Sequence, residues 1–147
     1  MNLADLYRVQ GRDDLGEPLL RRAIEAAPEQ APAHHALGLL LARQGRTAEA
    51  VDALRRAAGL DPGNLRFGYV YAVALHSAGR PTQAITELES VHTRHPADRE
   101  VLAALAMFNR DAGHIDAAIR FAERLVAVAP DDATAAQLLA QLRALRR

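Results

Sequence analysis

Apolar residues recur along this chain in short blocks at helical spacing, and the blocks stop and restart at regular places. In TAEAVDALRRAAGL, residues 47–60, Ala50, Val51, Leu54 and Ala57 fall on one side of a 100° helical wheel. Glu49, Asp52, Arg55 and Arg56 fall on the other, which predicts a helix with one buried stripe and one solvated face. YVYAVALHSAGR, residues 69–80, behaves differently. Tyr69, Val70, Tyr71, Ala72, Val73, Ala74 and Leu75 follow one another without a charge, so two faces of that helix are apolar. One face can enter a core, and the other needs a second surface to cover it. The pattern predicts an all-α chain.

The blocks keep a strict period. Gly11, Gly45, Gly79 and Gly113 are 34 residues apart, and so are Pro28, Pro62, Pro96 and Pro130. The small residues Gly16, Ala50, Ala84 and Ala118 form a third ladder, and Asn64, Asp98 and Asp132 a fourth. Each ladder has a physical role. A glycine after a helix suits the left-handed residue that ends it. Proline cannot continue a helix. Asn or Asp before a helix can cap its free amides. A small side chain marks a close approach of two helices, where a larger one overpacks the contact by about 1–3 kcal/mol. Each unit therefore reads helix, Gly turn, helix, Pro turn. The predicted organisation is one domain over 1–147, with units 1–30 (partial), 31–64, 65–98 and 99–132 and a closing helix at 133–147. Gln137, Gln141, Arg143, Arg146 and Arg147 are available for the water-facing side of that helix.

On these residues the chain resembles the tetratricopeptide-repeat (TPR) family, whose pattern is W-x2-L-G-x2-Y, then A-x3-F, then P, over 34 residues. The second unit has His34 in the Trp slot, then Leu37, Gly38 and Leu41, then Ala50, Leu54 and Pro62. The third has Gly68, Tyr71, Ala72 and Leu75, then Ala84, Leu88 and Pro96. The fourth has Leu102, Leu105, Ala106 and Asn109, then Ala118, Ala122 and Pro130. The first keeps Leu3, Ala4, Tyr7, Gly16, Leu20 and Pro28. The departures are the missing Trp, Asn109 in an aromatic slot, and Ala122 in another beside Phe121, which weaken the packing expected of the fourth unit. The resemblance implies an all-α, right-handed α-solenoid of helical hairpins with a C-terminal capping helix.

It also implies that the first helix of each unit lines a concave groove with the face opposite its core slots. In the second unit that face holds Pro32, His35, Ala36, Leu39, Ala42 and Arg43. In the third it holds Arg66, Tyr69, Val70, Val73, His76 and Ser77, and in the fourth Glu100, Ala103, Ala104, Met107, Arg110 and Asp111. The expected partner-binding residues are His35, Leu39, Arg43, Arg66, Tyr69, Val70, Val73, His76, Ala103, Met107 and Arg110. Leu39 and Met107 are expected to flank Tyr69, Val70 and Val73. Apolar walls with a few placed polar groups suit a peptide, and Arg66 and Arg110 can hold a carboxylate or carbonyl. One TPR subclass grips acidic chaperone tails with a Lys/Asn/Arg clamp. Of the matching positions (Met1, Asp5, Ala36, Arg66 and Val70) only Arg66 is compatible, so binding of that type is not expected.

Composition narrows the chemistry further. The 147 residues carry 18 basic and 18 acidic side chains, so the net charge is zero, against the basic excess of a nucleic-acid binder. Every basic residue is Arg, which with the abundant Ala, Gly and Pro fits a GC-rich bacterial coding sequence. There is no Cys, and hence no thiolate site or covalent haem attachment. Without Lys there is no phosphate loop of the Lys type, and the two serines, Ser77 and Ser90, stand in no nucleophile elbow. No catalytic residue, metal site or cofactor is expected. No apolar run approaches membrane-spanning length. His92 and His95 share a helix face and are expected to favour its C-terminal dipole. His76 offers a pH-dependent group in the groove. On the second helices, Glu17–Arg21, Asp52–Arg56 and Asp116–Arg120 are spaced as i,i+4 ion pairs on a solvated convex face.

The expected function is a non-catalytic protein–protein interaction scaffold holding a peptide or protein segment in the groove. Two alternatives remain open. One is self-association through the shortened first helix, and the other is a docking or regulatory appendage of a larger bacterial protein. Met1 stands where slot 5 of the first unit belongs, so the chain is expected to be the end piece of something longer. Residues 69–80 also resemble the C-terminal repeats of bacterial proteins that fuse multihaem cytochrome modules to TPRs, which implies a periplasmic parent; otherwise the default is cytoplasmic.

Overall fold

The computed structural model describes residues 11–147, and among them there are eight α-helices and no strand. In chain order these are α1 (Asp13–Ala26), α2 (Ala31–Arg43), α3 (Thr47–Leu60), α4 (Leu65–Ser77), α5 (Pro81–Arg94), α6 (Arg99–Asp111), α7 (Ile115–Val128) and α8 (Ala133–Leu145). The expected core residues Leu3, Ala4 and Tyr7, the clamp positions Met1 and Asp5, and the first helix proposed for self-stacking lie outside the described residues.

The ladders explain where helices begin and end. Gly11, Gly45, Gly79 and Gly113 have φ of 70°, 74°, 76° and 83°. At Gly45 the turn closes with two hydrogen bonds: Arg46 N–H donates to Leu41 O at 2.9 Å and Gly45 N–H to Ala42 O at 3.0 Å. His114 and Gly113 repeat the pattern on Asn109 and Arg110 at 2.8 and 3.0 Å. This Schellman closure satisfies carbonyls that the helix end would leave free, and it needs a left-handed residue between them. At the opposite ends, Asn64 accepts from Phe67 N, Asp98 from Val101 N, and Asp132 from Thr134 N and Ala135 N. Gln30, one period earlier, makes no side-chain cap on α2.

The chain divides into two compact units, Met1–Ala78 and Gly79–Arg147, and the division falls at the Gly turn of the third repeat. In the first unit, Leu20 from α1 meets Leu37, Leu40 and Leu41 of α2 and Ala50 and Ala53 of α3. A second cluster joins Ala31, Ala57, Ala58 and Phe67, with Tyr71 packed against it. In the second unit, Ala106, Ala118, Ile119 and Ala122 meet Leu139 and Leu142 of α8, and Leu102, Leu125 and Ala135 form the adjoining cluster. Gly16, Ala50, Ala84 and Ala118 are all buried, as a close helix–helix approach demands.

The irregular slots are filled by local chemistry. His34, in the Trp slot, is 4% exposed and its Nε2 lies 2.7 Å from Pro28 O. Asn109, in an aromatic slot, is 3% exposed and donates from Nδ2 to Leu105 O at 2.8 Å, one turn back on its own helix. Both are polar groups that tolerate burial because a backbone carbonyl receives them.

Three expectations are corrected. Ala104, assigned to the groove face, is buried, because α6 has core on more than one side of its small residues. Glu17–Arg21 does pair at 2.9 Å, but Asp52 reaches Arg55 at 3.6 Å rather than Arg56, and Asp116 lies 3.9 Å from Arg146 of α8 rather than on Arg120. Long exposed side chains choose among several partners of similar energy, so spacing alone does not select one. His92 does not point its charge at the end of α5. Its ring stands edge-on to Phe121, with centroids 5.6 Å apart, and beside Arg124. Burial first and the Arg124 charge second hold its pKa below the usual histidine value, against an opposing pull from Glu89.

Candidate functional site

In the first unit, α2 and α4 bring their predicted groove residues to the surface. His35 is half-buried and its ring lies on Phe67, with centroids 4.7 Å apart and planes at 34°. The contact runs from α2 to α4. His35 Nδ1 is buried with no hydrogen-bond partner, and burial, followed by the charge of Arg66, lowers the pKa of the ring. Leu39, Tyr69, Val70 and His76 are half-buried, Val73 is 36% exposed and Arg66 is exposed. Arg43 is held by its own chain. Its Nε donates to Asp13 Oδ2 at 3.0 Å and its Nη2 to Asp13 Oδ1 at 2.8 Å, a two-pronged ion pair that ties the end of α2 to the start of α1.

In the second unit, Ala103, Met107 and Arg110 of α6 meet α8 across a cleft of about 480 Å³. Met107 is 39% exposed, while Ala103 and Arg110 are half-buried. The facing wall is Thr134, Gln137, Leu138 and Gln141, with Arg99, Glu100 and Asp132 at one end. Arg110 donates from Nε and Nη2 to Asp111 Oδ1 at 3.0 and 2.9 Å. Asp132 Oδ1 accepts from Thr134 N at 2.9 Å and Ala135 N at 3.2 Å. The arrangement offers an apolar floor with amide side chains above it and charges at the ends. Such a surface can hold a chain segment.

Gln137 and Gln141 of α8 are exposed, as expected of the water-facing side of the closing helix, and with Leu138 they also line the cleft. Stepping 34 residues from Glu100, Ala103, Ala104 and Met107 lands on Thr134, Gln137, Leu138 and Gln141. The period continues into α8, so α8 carries the first-helix face of one more unit.

The second helices of the first unit border a different depression of about 290 Å³, floored by Ile24, His34, Leu37 and Leu41 between Arg21, Glu25, Glu49, Asp52 and Arg56. Its rim is held by an ion-pair network. Arg46 reaches Glu17 at 2.8 Å and Glu49 at 2.7 Å, and Arg21 reaches Glu17 at 2.9 Å. The Arg46 guanidinium holds both carboxyls below the usual carboxylate range.

Sequence profiles of the tetratricopeptide repeat match residues 1–65, 41–107 and 75–142. No curated protein matches the sequence. Solved structures match it well. MamA superposes with a TM-score of 0.89 at 19% identity, over 99% of this chain and 85% of that one. YrrB, described as a TPR protein with an unusual peptide-binding site, gives 0.82 at 19% identity, over 97% and 74%. The pilF protein of Pseudomonas aeruginosa gives 0.80 at 23% identity, over 99% and 66%. At these identities the likeness establishes the fold, which is the all-α fold of TPR solenoid proteins.

Proposed function

The chain belongs to the tetratricopeptide-repeat family, and on that footing we propose that it is a non-catalytic module that holds a peptide or protein segment against its first-helix faces. Proteins of this family are in general interaction scaffolds. The observation that carries the finer statement is the cleft between α6 and α8. Met107 remains 39% exposed there, beside Ala103 and Leu138, with polar groups arranged around them. Ligand sites are typically concave and mostly apolar, with a few placed polar groups. In the first unit, Tyr69, Val70, Val73 and Leu39 supply a second apolar surface, with His35, Arg66 and His76 as its polar groups. The peptide-binding description of YrrB, which shares the fold, supports the same assignment.

The test is to pan a random peptide library against the protein and against Met107→Glu. Position 107 is exposed, so the variant is expected to keep its helicity by circular dichroism. Peptides enriched by the parent and lost with Met107→Glu support the proposal; peptides retained equally by both overturn it. A sedimentation coefficient that rises with concentration, and that Met107→Glu flattens, identifies the occupant as a second copy of the chain instead.

A further inference from the structure

We propose that the α6–α8 cleft takes a peptide in extended conformation, uncharged over the residues it buries, with one apolar side chain on Met107 and Leu138 and its backbone held by Gln137 and Gln141. This rests on the peptide-binding proposal above and adds the chemistry of the occupant.

Charge is the first argument. Four charged side chains line the cleft, Arg99, Glu100, Arg110 and Asp132, two of each sign. Arg110 is occupied by Asp111, and Asp132 by the first turn of α8. Arg99 and Glu100, of opposite sign, stand at the start of α6 and so at one end of the cleft. The middle of the cleft, from Ala103 to Met107 and from Gln137 to Gln141, therefore carries no charged side chain, and a charged ligand side chain buried there loses its hydration without gaining a partner.

Pitch is the second. Gln137 and Gln141 both line the cleft and stand four residues apart on α8, which places them about 6 Å apart along the axis. Alternate residues of an extended chain repeat at about 6.6–6.8 Å. Each carboxamide has a carbonyl acceptor and two N–H donors, so it can receive the N–H and approach the C=O of one residue. Two carboxamides at this spacing match residues n and n+2 of a strand. A helical occupant has already bonded its backbone groups internally and offers these amides little. On the facing wall Ala103 and Met107 are also one turn apart, and Met107 accommodates side chains of varied shape. From Glu100 to Arg110 the wall is about 15 Å long, the length of four or five extended residues.

The test uses the whole chain and fluorescent, N-acetylated, C-amidated decapeptides with one central Leu, Met or Phe. The flanking positions carry Ala, Gln and Ser in one set, Glu in a second and Arg in a third. The uncharged set is expected to bind, with affinity unchanged between low and high salt. N-methylating alternate backbone amides beside the anchor is expected to lower affinity about three- to tenfold, as is the double variant Gln137→Ala, Gln141→Ala, with little further loss when the two are combined. Peptides that need Met107 but bind best with charges beside the anchor, or that ignore both N-methylation and the Gln variants, overturn this inference and leave peptide binding standing. Peptides that bind Met107→Glu as well as the parent overturn the proposal on which it rests.

Discussion

Arg124 Nη1 lies 3.0 Å from His92 Nε2, across from α7 to α5, while His92 Nδ1 is buried without a hydrogen-bond partner. A guanidinium only donates, so Nε2 accepts and the ring is neutral. Protonation would place an imidazolium against a guanidinium, with Glu89 the one opposing influence on its pKa. The folded pKa therefore lies below the unfolded value of about 6.5. As pH falls through that value, the unfolded chain gains a proton that the folded chain refuses, and stability declines until the folded ring also protonates. His35, whose pKa is lowered mainly by burial, acts with the same sign. Glu17 and Glu49, held low chiefly by Arg46, contribute their loss only at more acid pH. Melting temperature is expected to drop between pH 7.5 and 5.5, and to drop less in His92→Gln. An identical drop in both proteins refutes the assignment.

Gly113 and Gly59 both have open space for a Cβ, yet substitution by Ala is expected to act on them in opposite directions. Gly113 has φ of 83° and nothing within 4 Å of an added Cβ, so Gly113→Ala meets only the backbone cost of the left-handed region, about 1–2 kcal/mol. Gly59 lies inside α3 and is equally open, so Gly59→Ala removes helix-disfavouring freedom and is expected to stabilise by about 0.5–1 kcal/mol. Urea titration of the two variants should move the midpoints in opposite directions.

Gly38 is held glycine by crowding instead. A Cβ built there falls 2.5 Å from Leu54 Cγ and 2.6 Å from Leu54 Cδ2, and Leu54 is fully buried. Gly38→Ala is expected to cost about 1–3 kcal/mol by overpacking. Trimming the partner should return part of that, so Gly38→Ala with Leu54→Val is expected to be less destabilised than the two single changes added together. Strict additivity in denaturant titrations would show that the two sites do not share the contact.

Residues whose role is backbone chemistry were legible in the sequence. The Gly and Asn/Asp ladders act within a few residues of themselves, and Gly45, Gly113, Asn64, Asp98 and Asp132 all do what their spacing predicts. Roles set by distant neighbours were not. Nothing near His92 in the sequence announces Phe121 and Arg124, and burial and the Arg124 charge lower its pKa where the helix dipole alone would raise it. Arg43 pairs with Asp13, thirty positions away, and no local pattern announces that partner. The α8 side of the cleft is a different case. Its residues Gln137 and Gln141 lie one period beyond Ala103 and Met107, so the 34-residue repeat reaches them.

Asp132 links the fold to the proposed site. Its carboxylate receives two amides of the first turn of α8, Thr134 and Ala135, both of which line the cleft. Asp132→Ala leaves those donors unpaired and is expected to cost about 1 kcal/mol, with Asp132→Asn or Ser recovering most of it because each can accept the same bonds. In an array of repeats the loss should be local. Hydrogen exchange at the start of α8 is expected to quicken in Asp132→Ala, whereas the equivalent Asn64→Ala, which uncaps α4, quickens exchange there and leaves α8 protected. Any peptide held by Gln137 and Gln141 should bind more weakly to Asp132→Ala than to Asn64→Ala. Equal weakening by both would mean that the cap acts through general stability, not by positioning this wall.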